Sequence, residues 1–509
     1  MTEAVADRAV LETPHRLLLM VAVIMVTVVQ ILDVTIANVA LPHMRSSLNA
    51  SFDSVSWVLT SFIIAMVITT PIVGWLSDRI GSRRVFLWSF AGFLLASALC
   101  GSANSLPEMV AYRIFQGICA GIMGPMTQTI ILDINPRSKQ PAAMNLWGMI
   151  IMIAPVMGPL LGGYLTETLN WRWVFYINLP IGIPTFFVLF WLLPSRGLVD
   201  RRLDRFGVVA LVVTLGALQL LLDRGHSEDW FTSTEIVIEL IVVLSALWMF
   251  AVHITQTNNP IFAGAIFRSP NFLGILLFMF IVGITNVGVA SVLPTMFQNI
   301  YGYSAFDTGL LSAPRGLGMA ASLIIAGKVM HRFDVRYLTS AGFFITGLAL
   351  WQMSQWTINT SAKDIVSAGV IQGIGLGMIF APINIAALGS LPQQYRPDGA
   401  ALLNLMRNIG GSFGISIIIS LLAHNTQTSH ADLASHVTPY DIQGMSMDIG
   451  ATAARLGELG AASLQLIDLQ ISRRALMVAY QDNFYGMALF IFAISLMPLL
   501  LKPIRLDRP

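Results

Sequence analysis

The run Gly74-Trp-Leu-Ser-Asp78-Arg79-Ile-Gly81-Ser-Arg83-Arg84 lies between two apolar stretches, 55–77 and 85–100, that carry no charge. Spanning ~30 Å of hydrocarbon takes about 20 helical residues, so three arginines in the gap mark a tight loop where the chain turns back into a membrane. Working outward from this loop, the same reading predicts fourteen spans: 17–41, 55–77, 85–100, 109–131, 144–165, 173–193, 207–222, 234–253, 272–297, 309–327, 338–353, 365–385, 402–422 and 483–501. Composition agrees. Of the 509 residues 11% are charged and 55% hydrophobic, against roughly 25% charged in a soluble domain. The expected fold class is an all-α polytopic membrane protein, with the lipid bilayer as its medium. A formal net charge of +2, with no basic run interleaved with aromatics, argues against a nucleic-acid partner. Cys100 and Cys119 fall in apolar stretches and read as small packing residues. Residues 1–16 are charged, and 17–41 exceeds the apolar core of a signal peptide, so it reads as a retained first span.

An even number of spans puts both termini on one side. That side holds 19 Lys and Arg, against 7 on the other, so both termini are expected to be cytoplasmic. Arg113, Arg315 and Arg407 remain, each inside or at the edge of a span. The opening loop also has a faint echo. Gly74, Arg79 and Arg83 recur as Gly327, Arg332 and Arg336, and Gln116-Gly-Ile-Cys-Ala-Gly121 recurs as Gln372-Gly-Ile-Gly-Leu-Gly377, at the same topological places. This predicts two parallel six-helix halves. The boundaries read as 1–16 for the N-terminal segment, 17–193 for the first bundle, and 194–271 for a linker with two extra helices. The second bundle covers 272–501, including an exterior loop at 423–482, and 502–509 forms the tail.

The loop resembles the signature between the second and third helices of the major facilitator superfamily. Leu32-Asp-Val-Thr-Ile-Ala-Asn-Val-Ala-Leu-Pro42 is similar to the first-helix motif of its fourteen-helix drug:proton antiporters, the EmrB/QacA type. Arg113-x-x-Gln-Gly117 resembles their fourth-helix motif. Ala154-Pro155-x-x-Gly158-Pro159-x-x-Gly162-Gly163 resembles the fifth-helix antiporter motif, and Trp171-Arg-Trp-x-Phe-x-Ile-Asn178-x-Pro180 is also typical. The resemblance runs from about 17 to 501. It implies a major facilitator fold and proton-coupled export of drug-like small molecules by alternating access, in the bacterial cytoplasmic membrane. Two departures stand in the second half: His331 replaces the loop aspartate, and Gly369 stands where the fourth-helix arginine would repeat.

Asp33 lies mid-helix, where a bare carboxylate costs at least ~2.5 kcal/mol. Protonation is one escape, and it suits the residue to exchange a proton for substrate; a structural carboxylate bonded across helices is the other reading. Arg113 needs a partner or a watery cavity, and by resemblance it takes part in proton coupling. Gly74, Asp78, Arg79, Gly81, Arg83 and Arg84 read as a gating loop, although topology alone also explains the arginines. Pro155, Gly158, Pro159, Gly162 and Gly163 predict a bent helix that approaches a neighbour closely. Gln30, Asn38, Gln116, Arg315, Asn404 and Arg407 are candidate cavity residues, with snorkelling to the interface as the alternative for the two arginines. The abundance of Met and Phe, 25 and 28 residues, suits a plastic pocket or ordinary packing.

No metal site, cofactor or enzymatic chemistry is expected, because no His-x-x-x-His or Glu-x-x-His cluster lies within the spans and no nucleotide-binding G-x-x-x-x-G-K-[ST] string occurs. The loop 423–482 is too polar to span, with a helix-prone stretch at about 451–480. A comparable loop in EmrB-like pumps implies docking to a periplasmic membrane-fusion protein, against a solvated lid. Export of one metabolite, such as a fatty acid or siderophore, is the second reading of function, and a membrane-embedded enzyme or a non-transporting scaffold is the remote one.

Overall fold

The computed structural model describes residues 9–50, 52–136, 139–195, 198, 203–225, 228–257, 260–262, 264–329, 333–392, 395–436 and 459–501. Among these residues there is no strand. The long helices are α1 (Arg16–Ser47), α2 (Trp57–Ile80), α3 (Ser82–Ser102), α4 (Leu106–Ile134), α5 (Gln140–Thr168), α6 (Trp173–Leu192) and α7 (Arg205–Arg224). They continue as α8 (Thr234–Gln256), α9 (Pro270–Asn299), α10 (Ala305–Val329), α11 (Val335–Met353), α12 (Ala362–Gly389), α13 (Arg396–Ser435) and α14 (Leu459–Ser495). Each overlaps one of the spans expected from hydropathy. Twelve are long and apolar enough to cross a membrane among the described residues. The other two are α5, several of whose side chains lie outside the described set, and the 19-residue α11, which carries Arg336 and Gln352 near its ends.

Local signals set the helix starts. Ser105, Asp204, Ser269, Asp334 and Ser361 each accept a backbone N–H from the first turn of the helix they precede, satisfying a donor that would otherwise be orphaned. The turn between α2 and α3 is a single residue. Gly81 adopts φ +101° and ψ 132° there, a sparsely populated backbone region that costs an L side chain of order 1–3 kcal/mol.

Packing repeats along the chain. In the first half α1 packs on α5 and α6, α4 on α2 and α3, and α3 on α6. Eight helices later α9 packs on α13, α12 on α10 and α11, and α11 on α14. Between the two sets, α5 packs along α10, and α13 touches α2 and α4. Helices α7 and α8 pair with each other, and α7 also lies against α2 and α13.

The structure differs from the exterior loop expected at 423–482. Helix α13 continues unbroken to Ser435 and α14 begins at Leu459. At 1.5 Å per residue the 40 residues of α13 extend ~60 Å, about twice the hydrocarbon thickness. His430 and Asp468, 3.1 Å apart, tie the two extensions together. A helix has no physical reason to stop where the bilayer does, and hydropathy sees only its apolar part.

Candidate functional site

Asp33 and Arg113 meet. Asp33 lies in α1 and Arg113 enters from α4, where close approach of α4 to α2 brings the two helices together: a Cβ on Gly117 or Gly121 would stand 2.4 or 2.5 Å from the carbonyl oxygen of Phe62 or Met66. Arg113 Nη1 donates to Asp33 Oδ2 at 2.5 Å, and both side chains have no accessible surface. The other carboxylate oxygen, Oδ1, accepts from Gln116 Nε2 at 3.0 Å and from Asn178 Nδ2 at 2.7 Å. Those two amides also donate to Ser97 Oγ, at 2.8 and 2.9 Å, which joins α3 and α6 to the cluster. Every contact to Asp33 is an N–H donor, so the surroundings are built for the ionised carboxylate.

Arg113 is held as thoroughly. Its Nε donates to the carbonyl of Val58 in α2 at 2.9 Å, and Nη1 also donates to Gln116 Oε1 at 2.7 Å. The guanidinium lies over the rings of Phe62 and Phe175, 4.4 and 5.4 Å from their centroids, a cation–π setting worth ~2 kcal/mol when dry. One nitrogen, Nη2, is buried without a partner. The expected charge of a bare carboxylate in the membrane is thus compensated by a salt bridge rather than left to protonation alone. Five helices, α1, α2, α3, α4 and α6, meet at this pair.

The other expected site residues divide. Gln116 belongs to the buried cluster, while Asn38 is exposed farther along α1. Gln30 donates to the carbonyl of Ala120 at 3.1 Å, and its Oε1 has no partner. Asn404 of α13 donates to Gln128 Oε1 of α4 at 3.1 Å and accepts from Arg407 Nη2 at 2.8 Å. Gln30 and Asn404 both flank Gly124, within about 4 Å of where its Cβ would stand. Arg315 donates to Asn286 Oδ1 of α9 at 2.7 Å.

In the loop Arg83 donates to the carbonyl of Phe190 at 2.5 Å, Gly74 is buried, and Arg84 is exposed. Asp78 and Arg79 each have an interaction partner. In the second copy of the loop, His331 and Arg332 lie outside the described residues. Gly158 and Gly162 set α5 against α1: a Cβ on Gly158 would stand 2.1 Å from Thr35 Oγ1. The side chains of Pro155 and Pro159 lie outside the described residues. Ser97 and Asn178 went unassigned from sequence. A serine in an apolar helix reads as packing, whereas Asn178 carried a signal, an amide buried in the Trp171–Pro180 motif.

The model of the Major Facilitator Superfamily matches residues 23–415. The multidrug export protein EmrB of Escherichia coli (strain K12) is 34% identical over 484 residues, covering 93% of each chain. The fatty acid resistance protein FarB of Neisseria gonorrhoeae is 31% identical over 488 residues, covering 93% of this chain and 94% of its own. The crystal structure of the human organic anion transporter MFSD10 (TETRAN) superposes with a TM-score of 0.60 at 14% identity, covering 95% of this chain and all of the other. That likeness concerns the fold alone.

Proposed function

This chain belongs to the major facilitator superfamily, and from that premise we propose that it is a proton-driven multidrug exporter of the bacterial cytoplasmic membrane, working by alternating access. Similarity to EmrB over nearly the whole chain supports multidrug export, and transport rather than enzymatic turnover is what the family does. The observation that carries the coupling mechanism is the Asp33–Arg113 pair, buried without accessible surface at the meeting of five helices. A proton delivered to Asp33 removes the charge that Arg113 balances. Arg113 then keeps Val58, Gln116 and two aromatic faces but loses its counter-ion, which weakens the hold of α1 on α4 and lets the halves rearrange. The membrane potential adds ~2.3 kcal/mol per elementary charge per 100 mV, enough for one proton to drive a useful gradient of neutral substrate.

The positive-inside bias supports cytoplasmic termini. Two six-helix halves, 17–193 and 272–501, with 194–271 between them, suit the packing that recurs eight helices apart. The extensions of α13 and α14 offer a surface for a periplasmic membrane-fusion protein, and deleting 430–475 should abolish co-purification with such a partner. Export of a single metabolite is the second reading, and similarity to FarB favours a fatty acid.

The test is gradient-driven flux of ethidium into proteoliposomes, comparing the native chain with Asp33→Asn and with a collapsed gradient. Flux that depends on the gradient and disappears in Asp33→Asn is expected. Undiminished flux in the variant would move the coupling site elsewhere.

A further inference from the structure

Residues 9–15 lie against the end of α4. Leu11 donates its backbone N–H to the carbonyl of Asp133 at 2.9 Å, and its side chain packs against the core. Helix α1 then begins at Arg16, and the first membrane span begins with it. Between this segment, the first turn of α1 and the end of α4 lies a cavity of about 820 Å³, within the range of sites that take small molecules. Glu12, Thr13, Arg16, Leu17 and Leu18 line it on one side and Ile134 on the other. Asp33 stands ~25 Å farther along α1, so the coupling pair has no use for this cavity.

The wall combines three chemistries. Leu17 and Leu18 are 69% and 51% exposed at the head of the span, where an exposed leucine meets acyl chains rather than water. Arg16 supplies a guanidinium and Glu12 a carboxylate. Among the described residues neither has an ion pair or a side-chain hydrogen bond. Thr13 Oγ1 is buried in the wall with no hydrogen-bond partner, an orphan that a ligand oxygen would satisfy.

An acid and a guanidinium that line one cavity without pairing leave both charges to a ligand that carries both signs. The guanidinium forks onto a phosphate. A carboxylate has only lone pairs to offer, so it takes the N–H donors of a primary ammonium. Phosphate and primary ammonium on one end, with acyl chains on the other, describe phosphatidylethanolamine.

We propose that this cavity binds the headgroup of phosphatidylethanolamine, the phosphate on Arg16 and Thr13, the ammonium on Glu12 and the acyl chains along Leu17 and Leu18. Phosphatidylglycerol brings no cation for Glu12, and the trimethylammonium of phosphatidylcholine has no N–H to donate. The two charges therefore select one headgroup of the three. Bound there, the lipid ties residues 9–15 to the first turn of α1. The inference stands apart from the reading of the chain as an exporter.

The test incubates the full chain in detergent with a phosphatidylethanolamine that carries a diazirine near the head of one acyl chain, irradiates it, and maps the adduct by mass spectrometry. The label should concentrate on residues 9–20. Unlabelled dioctanoyl phosphatidylethanolamine should displace it at a concentration at least roughly threefold below that needed for the matching phosphatidylcholine or phosphatidylglycerol. Glu12→Gln should cancel that preference, and Arg16→Gln should weaken all three lipids roughly three- to fivefold, the range for a solvent-exposed charge pair. Glu12→Asp and Arg16→Lys keep the charges and should keep the preference in part, which holds the test open if a neutral variant misfolds. A label spread evenly over the membrane surface of the helices, or a preference that survives Glu12→Gln, overturns the site. Equal displacement by phosphatidylglycerol would make it a general anion site and overturn the headgroup assignment. Displacement by inorganic phosphate at the same concentration would assign the cavity to a free anion and overturn the lipid.

Discussion

Asp33 spends its lone pairs on three N–H donors, and among the described residues Arg113 has no other anion to pair with. Removing one partner of a buried pair leaves the other uncompensated, which typically costs about 3–5 kcal/mol, whereas replacing both by apolar residues of similar volume is often nearly neutral. Arg113→Ala should therefore lower the thermal unfolding temperature in detergent sharply, and adding Asp33→Ala should recover much of the loss. A double variant no more stable than Arg113→Ala alone would mean that the pair is not what holds these helices. Asn178 makes a finer case. Replacing it by Leu removes one donor to the carboxylate and one to Ser97 while leaving the salt bridge, so a smaller loss of about 1–3 kcal/mol is expected in the same assay. The residue types at the site were legible in sequence, because an acid and an arginine inside apolar spans are expensive enough to stand out. Their contact was not, since nothing in the spacing of α1 and α4 says which faces meet. Ser97 was invisible for the opposite reason, a small hydroxyl being cheap anywhere in a helix.

Helices α1 and α5 approach so closely that Gly158 has no room for a side chain. Its Cβ would fall 2.1 Å from Thr35 Oγ1 and 2.5 Å from Thr35 Cβ. Gly158→Ala should force α5 outward at a cost of about 1–3 kcal/mol, as overpacking does. Thr35→Gly removes both clashing atoms, so the double variant should be more stable than the sum of the single effects predicts, the sign of direct coupling. Additive losses, read from unfolding midpoints, would place the strain elsewhere. The glycine spacing made a close approach legible, and the sequence left open which helix was approached. The spans themselves were legible because twenty apolar residues have few alternatives to a membrane helix, yet α13 shows the limit of that argument. Its outer part carries His424, Asn425, Gln427 and His430, which reads as loop on any hydropathy scale although the backbone continues as one helix to Ser435.

Across the whole molecule, two side-chain contacts between the two sets of helices lie toward the end where α1 begins. Gln128 of α4 meets Asn404 of α13 at 3.1 Å, and Trp147 of α5 meets Phe380 of α12 with ring centroids 6.2 Å apart. Gln128 lies late in α4 and Asn404 early in α13, so both sit toward the end where α1 begins. Helix α7 adds a bridge at the opposite end: Asp223 accepts from Thr60 of α2, and Gln219 Oε1 accepts from Ser412 of α13 at 2.8 Å. A faint repeat in a loop motif was enough to suggest two halves. Which ends touch depends on how they are tilted, and no single-chain pattern encodes that. If transport proceeds by rocking, the Gln128–Asn404 seam must open once in every cycle. Gln128→Cys with Asn404→Cys, in a background where the buried free thiols Cys100 and Cys119 are replaced, should form a disulfide on mild oxidation. Gradient-driven flux should then stop and return on reduction, while the same treatment leaves the cysteine-free chain active. Full transport by the crosslinked protein would mean that the halves do not separate at this seam, and the path of the substrate would have to lie elsewhere.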